Sequence, residues 1–302
     1  MSSPLKYKAG RRNFITATAT AAVGSALLPL FPKDILAQKK DITIQEVIDL
    51  IIKNIPVSPF AETVDTVKAG NAKQILKGIV TTSFATIEVI EKTALTGANF
   101  IIAHEPTFYN HLDKTDWLEQ DDVYQYKQAL IDKHGIVIWR FHDYWHSDKP
   151  DGVLAGVLNT LGWNKFVDQQ SQHILRIPGA TFGNLAKEIK QKLEIPSIKA
   201  IGKPMDKCDR ILIMPGAAGG AAQINGIESI KPDLLICGEL QEWETSEYIR
   251  DARAKGSKIS LMVLGHAVSE EPGMSWLVQW LQPKLPGAKI THIPSKSPFT
   301  WY

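Results

Sequence analysis

From residue 41 onward the hydrophobic positions switch repeatedly between helical and strand spacing. Ile44, Val47, Ile48 and Ile51 recur at helical intervals. Thr43, with Glu46 three positions on, forms a capping box for that helix. The β-prone run 79–82 predicts a strand, 86–96 a helix capped by Thr86, and 99–103 an apolar strand stopped by Pro106. Residues 121–134 read as a helix closed by Gly135, and 135–139 as the strand that follows. Further strands are predicted at 173–177, 197–201, 210–214, 234–237, 259–264 and 289–293, with helices at 182–193, 245–254 and 272–281. Strands alternating with helices predict an α/β fold with mostly parallel sheets covered on both faces. There is no internal repeat, and composition shifts only weakly near residues 170 and 228.

The first 37 residues break this pattern. Lys6, Lys8, Arg11 and Arg12 precede a stretch, 13–32, with no charged side chain, and Leu36-Ala37 follows as a cleavage region. With its Arg pair and Phe14, the segment reads as a twin-arginine (Tat) signal that sends the protein to the periplasm and is then removed. Pro29, Pro32 and several threonines argue against a stable spanning helix, so no membrane association is expected after cleavage. Cleavage would remove five basic residues (Lys6, Lys8, Arg11, Arg12 and Lys33) and one acid (Asp34), turning the net charge from +2 to −2. A nucleic-acid partner is therefore not expected. The 302 residues, 44% hydrophobic and 22% charged, suit one large or two medium globular domains. Two cysteines exclude a disulfide scaffold. Cys208 and Cys237 can pair in an oxidising compartment, but the apolar run around Cys237 favours buried free thiols.

Metal-type side chains gather at three predicted strand ends, the edge at which parallel α/β sheets build ligand sites. The strand before Pro106 delivers His104 and Glu105. The strand at 135–139 runs into His142, Asp143 and His146. After 259–264 come Gly265, His266 and Glu270, the last two four apart and so on one face of any helix there. Separately these are a solvated strand end, a polar aromatic loop and a surface pair. Together they supply enough imidazole and carboxylate for two divalent ions. That ligand chemistry suits zinc, manganese or iron, which acidify water and support hydrolysis. The Gly-rich run from Gly216 to Gly220 lacks the Lys-Ser/Thr of a P-loop and reads as a tight strand–helix turn.

The same segments resemble the Nif-three-like family of dinuclear-metal proteins, also described as type 2 homologues of GTP cyclohydrolase I. The similarity runs from about residue 41 to the C-terminus. Glu88 to Glu91 and Gly97 to Pro106 are similar to the family's helix–strand unit ending in His-His-Pro. Gly265-His266-Ala267-Val268-Ser269-Glu270 is similar to its Gly-His-x-x-[Ser/Thr]-Glu motif. Asp233 to Glu239, the glycines 216–220 and the closing Ser297-Pro298-Phe299 are similar to further family segments. The resemblance implies two α/β domains: a metal domain built from both chain ends (38–170 and 229–302) and a smaller inserted domain (171–228). It also implies a ring-shaped homo-hexamer whose metal sites face an internal cavity. Carried onto this sequence, it implies two divalent ions per subunit on His104, Glu105, His146, His266 and Glu270.

Two departures shape the expected activity. Glu105 stands where the family has its second His, and His146 where it has an Asp, so the total of three imidazoles and two carboxylates is kept. Asp143 and Asp148 remain rivals of His146, because the loop before Gly152 is one residue longer than the family pattern. Where the family often carries Lys-Tyr-His, this chain has Gln241, Glu242 and Trp243, followed by Glu244. Losing a cation and gaining acids suits a triphosphate poorly, which argues against GTP cyclohydrolase activity. Glu242 and Glu244 are candidate catalytic acid/base residues. An alternative puts both on an exposed helix start that they stabilise through its dipole. No organic cofactor site is predicted. The expectation is a dinuclear metal-dependent hydrolase of a small polar substrate; its rival is a non-catalytic metal-binding or scaffold hexamer.

Overall fold

The computed structural model describes residues 41–57 and 60–302. The leader expected at 1–37 lies outside the described residues. The chain runs α1 (Ile44–Lys53), β1 (Val67–Ala69), β2 (Ile79–Thr82), α2 (Ile87–Thr96), β3 (Phe100–Ala103), α3 (Asp122–His134), β4 (Val137–Arg140), α4 (Asp143–Ser147) and α5 (Gly152–Leu161). It continues through β5 (Val167–Asp168), β6 (Ser171–Arg176), α6 (Phe182–Lys192), β7 (Lys199–Ile201), β8 (Arg210–Met214), α7 (Gly220–Ile230) and β9 (Leu234–Cys237). A π-helical turn (Glu242–Ser246) then leads to α8 (Glu247–Ala254), β10 (Ser260–Val263), α9 (His266–Leu281) and β11 (Ile290–His292).

The elements form two mixed sheets, ordered β1-β4-β3-β2-β11 and β5-β6-β8-β9-β10-β7. The parallel expectation describes their centres: β11, β2, β3 and β4 run parallel, as do β8, β9 and β10. The flanks are antiparallel, with β1 on β4, β7 on β10, and β6 between β5 and β8. The inserted unit was expected at 171–228, but the sheet to which that stretch contributes also takes in β9 and β10. The register Ile211↔Leu234 and Leu234↔Ser260 ties them to β8.

Strands β2, β3, β4 and β9 are buried at every position because both faces are covered. In β3, Phe100 and Ile102 pack on the α1/α9 side, and Ile101 and Ala103 on the α2/α3 side. In β9, Leu234 and Ile236 face α5 and α6, while Leu235 and Cys237 face α7 and α8. Side chains alternate along a strand, so a two-sided core removes the polar positions that a one-sided sheet would show. Cys208 and Cys237 are both buried and free.

Local chemistry sets the helix ends. The Thr43/Glu46 capping box closes the start of α1. Thr86 and Asp121 cap α2 and α3, and Gly97 and Gly135 end them in the left-handed conformation. Helix α9 begins six residues before the expected start, at His266, and carries Pro272 within it. It lies against α5 at glycine contacts: a Cβ on Gly156 would sit 2.4 Å from the Pro272 carbonyl oxygen. Among the described residues, no helix is long and apolar enough to cross a membrane.

Candidate metal centre

The C-terminal ends of β3 and β4 meet the start of α9. His104 and Glu105 leave β3, His142 and His146 follow β4, and His266 and Glu270 lie one turn apart on α9. These six side chains converge. His266 Nε2 lies 3.2 Å from Glu105 Oε1 and 3.1 Å from Glu270 Oε2. His104 Nε2 lies 3.7 Å from Glu270 Oε1, and His142 Nε2 lies 3.7 Å from Glu105 Oε1. The His104 and His146 rings are 4.9 Å apart. His104 and Glu270 are closed off from solvent, whereas His142, His146 and His266 are part-exposed.

The second nitrogen of each imidazole is committed elsewhere. Nδ1 of His104 bonds to the Phe141 carbonyl at 3.1 Å, and that of His142 to Asp143 at 2.8 Å. His146 bonds through Nδ1 to Asp151 at 2.9 Å, and His266 to Glu239 at 3.1 Å. Such partners fix ring orientation and turn Nε2 toward the cluster, the arrangement that metal-binding histidines need. The supports are themselves anchored. Asp143 accepts from Thr63 and Val64, and Asp151 caps α5 at the Leu154 amide. Asp65 accepts the backbone N–H groups of His142, Asp143 and Tyr144 and so shapes the turn into α4.

Below the cluster lies Arg140, fully buried. Its Nε donates to the His104 carbonyl at 3.1 Å and its Nη2 to Glu105 Oε2 at 3.3 Å. Its Nη1 donates to the His111 carbonyl and lies 3.6 Å from Asp113. One oxygen of Glu105 is therefore held by a guanidinium, and the other faces the imidazoles. On the opposite wall, Gly216 follows β8 with φ 67°, and a Cβ there would lie 1.9 Å from Glu270 Oε1. The expected Gly-rich turn does join β8 to α7, and its first glycine borders the cluster.

Without a cation, protons balance the charge. Burial opposes a charged His104, but Glu270 and Glu105 outweigh it and raise its pKa to about 9. The same two carboxylates raise His266 to about 11 against burial. Burial would raise the pKa of both carboxylates, yet the imidazoles hold them down, His104 and His266 acting on Glu270 and His266 foremost on Glu105. His142 moves the other way, lowered to about 4 by burial and then by the neighbouring His104.

A metal ion suits this donor set. His104 Nε2 is buried and makes no hydrogen bond, and the buried Glu270 Oε2 meets His266 Nε2 at 3.1 Å. Ligand atoms about 2.1 Å from one tetrahedral ion stand about 3.4 Å apart, close to the 3.1 to 3.7 Å spacings of the cluster. Two overlapping groups can hold an ion: His104/His142/His146 and His104/Glu105/Glu270.

Of the residues picked from sequence, the structure brings His104, Glu105, His146, His266 and Glu270 together. It adds His142, whose segment was flagged but whose ring was passed over for His146. Asp143 supports His142 rather than facing the cluster, and Asp148 turns toward Lys284 and Trp280. Glu242 and Glu244 are not brought to the cluster. Glu242 is exposed and pairs with Lys199 at 2.7 Å, and Glu244 packs over Gly220 at the start of α7, where the helix dipole favours a carboxylate. Asp65, Arg140 and Asp151 were not singled out. Nothing in their local sequence marks them, because their partners lie elsewhere in the chain or across a turn.

Fold and cluster together define a mixed α/β protein with a buried histidine–carboxylate centre able to hold a metal ion. The chain belongs to the DUF34/NIF3 (NGG1p interacting factor 3) family, whose model matches residues 42–298. Its fold is similar to that of a Bacillus cereus protein related to NIF3 (TM-score 0.71, 16% identity, 87% of this chain and 100% of that one). It is also similar to a hypothetical protein of Staphylococcus aureus (0.68, 19%, 86% and 99%) and to reduced HcgD from Methanocaldococcus jannaschii (0.59, 15%, 83% and 98%). No curated protein matches the chain significantly in sequence.

Proposed function

We propose that the protein is a divalent-metal-dependent hydrolase of a small polar substrate, with His104, Glu105, His146, His266 and Glu270 holding about two ions per subunit. One observation carries the reading: His104 Nε2 is buried without a hydrogen bond inside a cluster whose imidazole Nδ1 atoms are all engaged. Leaving such an atom unpaired costs about 1–3 kcal/mol, a cost that ligation removes. Zinc, manganese or iron suits the donors and supplies Lewis acidity and a lowered pKa for water. The chain's own residues orient and limit access. Asp151 and Glu239 fix the His146 and His266 rings, Arg140 fixes Glu105, and the part-exposed side at His142, His146 and His266 is where substrate enters.

Periplasmic export and a six-subunit ring belong to this reading. Sedimentation of the purified protein and N-terminal sequencing of its periplasmic form test them. The central test is elemental analysis of the purified protein beside His104→Ala and Glu270→Ala. About two ions per subunit, lost in both variants without loss of fold, is the expected result. Full metal content in both variants sinks the proposal. Metal binding with no turnover on phosphoester, amidine and amide panels would leave the non-catalytic scaffold as the function.

A further inference from the structure

The cluster divides into two chemically unlike halves. On one side stand His104, His142 and His146, with ring centres 4.7, 4.9 and 4.8 Å apart in a nearly equilateral triangle. All three Nδ1 atoms are taken by a carbonyl or a carboxylate, so three Nε2 atoms remain as donors. On the other side stand Glu105, Glu270 and His266, with His266 Nε2 lying 3.1 Å from Glu270 Oε2 and 3.2 Å from Glu105 Oε1. His104 has one free nitrogen and can serve one ion only. It stands 3.7 and 4.0 Å from the two carboxylates, farther than His266 does. His266 therefore completes the carboxylate half and leaves His104 to the imidazole half. Glu105 Oε1, within 3.7 Å of both His142 and His266, stands between them.

We infer that the centre is built for two different metals: an all-imidazole position on His104, His142 and His146 for a borderline ion such as Zn²⁺, and a carboxylate-rich position on Glu105, His266 and Glu270 for a harder ion such as Mn²⁺. This rests on the metal-centre reading above and adds His142 as a ligand. Softness of the donors decides it: imidazole suits zinc and copper, and carboxylate suits manganese.

The test uses the full chain stripped by chelator and reloaded with Zn²⁺ and Mn²⁺ together, beside His142→Asn. The Asn amide reproduces the Nδ1 donor toward Asp143 but offers no Nε2. Elemental analysis should find about one of each metal in the native protein, and zinc bound at least 10-fold more weakly in the variant with manganese retained. A second measurement does not depend on the variant's folding. One equivalent of Cu²⁺ in the native protein should give an electron paramagnetic resonance spectrum with three nitrogen couplings. Unchanged zinc affinity in H142N, uptake of one metal at both positions from the mixture, or fewer than three couplings overturns the inference and leaves the metal centre standing. No metal in the native protein removes both.

Discussion

The two sheets contribute to the centre in opposite ways. The five-stranded sheet sends donors from the ends of β3 and β4: His104, Glu105, His142 and His146. The six-stranded sheet sends His266 and Glu270 on the helix that follows β10, and from the ends of β8 and β9 mostly backbone. Gly216 follows β8 and Gly238 follows β9, and a Cβ on either would collide, with Glu270 at 1.9 Å or with Ser269 at 2.4 Å. The side chain that follows β9, Glu239, orients the His266 ring. A site made where two sheet edges meet thus has a wall of ligands, after β3, β4 and β10, and a wall of space, after β8 and β9. The two walls should fail differently when mutated.

The wall of space should fail most completely. Gly216→Ala places a methyl on the Glu270 carboxylate at a position whose φ of 67° already disfavours a side chain. The expected outcome is loss of bound metal by elemental analysis in a protein that still folds. Gly179→Ala is the control. Gly179 has φ 75° but nothing within 4 Å of its Cβ, so it should cost about 1 kcal/mol of stability and no metal. If G216A kept its metal, close approach of the backbone would not be a requirement of this wall.

The donor wall is braced by buried cations, and breaking a brace should cost stability as well as geometry. Arg140→Met leaves Glu105, Asp113 and two carbonyls without their guanidinium. Removing one partner of a buried pair typically costs about 3–5 kcal/mol. Denaturant unfolding of the metal-free protein measures it, and a cost below about 1 kcal/mol would mean that the guanidinium does not brace the wall.

Lys127 braces the same wall from α3, donating to the Thr107 carbonyl just beyond Glu105 at 2.6 Å. Burial lowers its pKa from 10.5 to about 8, the nearby Asp113 offsetting only part of this. Between those values the unfolded chain keeps a proton that the folded one has lost, so stability should rise with pH. The rise is about 3 kcal/mol at 1.36 kcal/mol per pH unit. It should appear as a native-minus-variant difference against Lys127→Met, growing from pH 8 to pH 10.5. A flat difference would show that Lys127 titrates at its ordinary value.

The two walls also differ in how far they could be read from sequence. Donor residues sit at the ends of apolar runs, and His104, Glu105, His266 and Glu270 stand out because several such strand ends together supply a ligand set that none supplies alone. The framework was legible where periodicity was clean, as in α1 with its capping box. Helix α5 was not, because it is buried on almost every side and has no polar stripe to show a helical period. Helix α4 is a single turn shaped by Asp65, 77 to 79 positions away. His142 was missed for a related reason. Four residues apart on an extended chain, His142 and His146 compete for one role; on a helical turn, with rings 4.8 Å apart, both face the same partner.

The smallest expected effect concerns the residues beyond the wall of space. The sequence suggested Glu242 as an acid/base group because acids stand in the segment where the family often carries Lys-Tyr-His. In the structure its carboxylate is exposed and bonded to Lys199 across the β7 edge, and that bond lowers its pKa. An exposed pair of long side chains contributes little to stability, because solvent screens it and holding it costs rotamer freedom. Glu242→Gln should therefore leave both metal content and the denaturation midpoint unchanged. The informative comparison is with Glu239, which ends the same segment but touches His266. Glu239→Gln should weaken metal binding about 10-fold, as loss of a ring-orienting partner does. If E242Q weakened it as much as E239Q, the π-helical turn would have to reach the centre, and the division into a donor wall and a spacer wall would not hold.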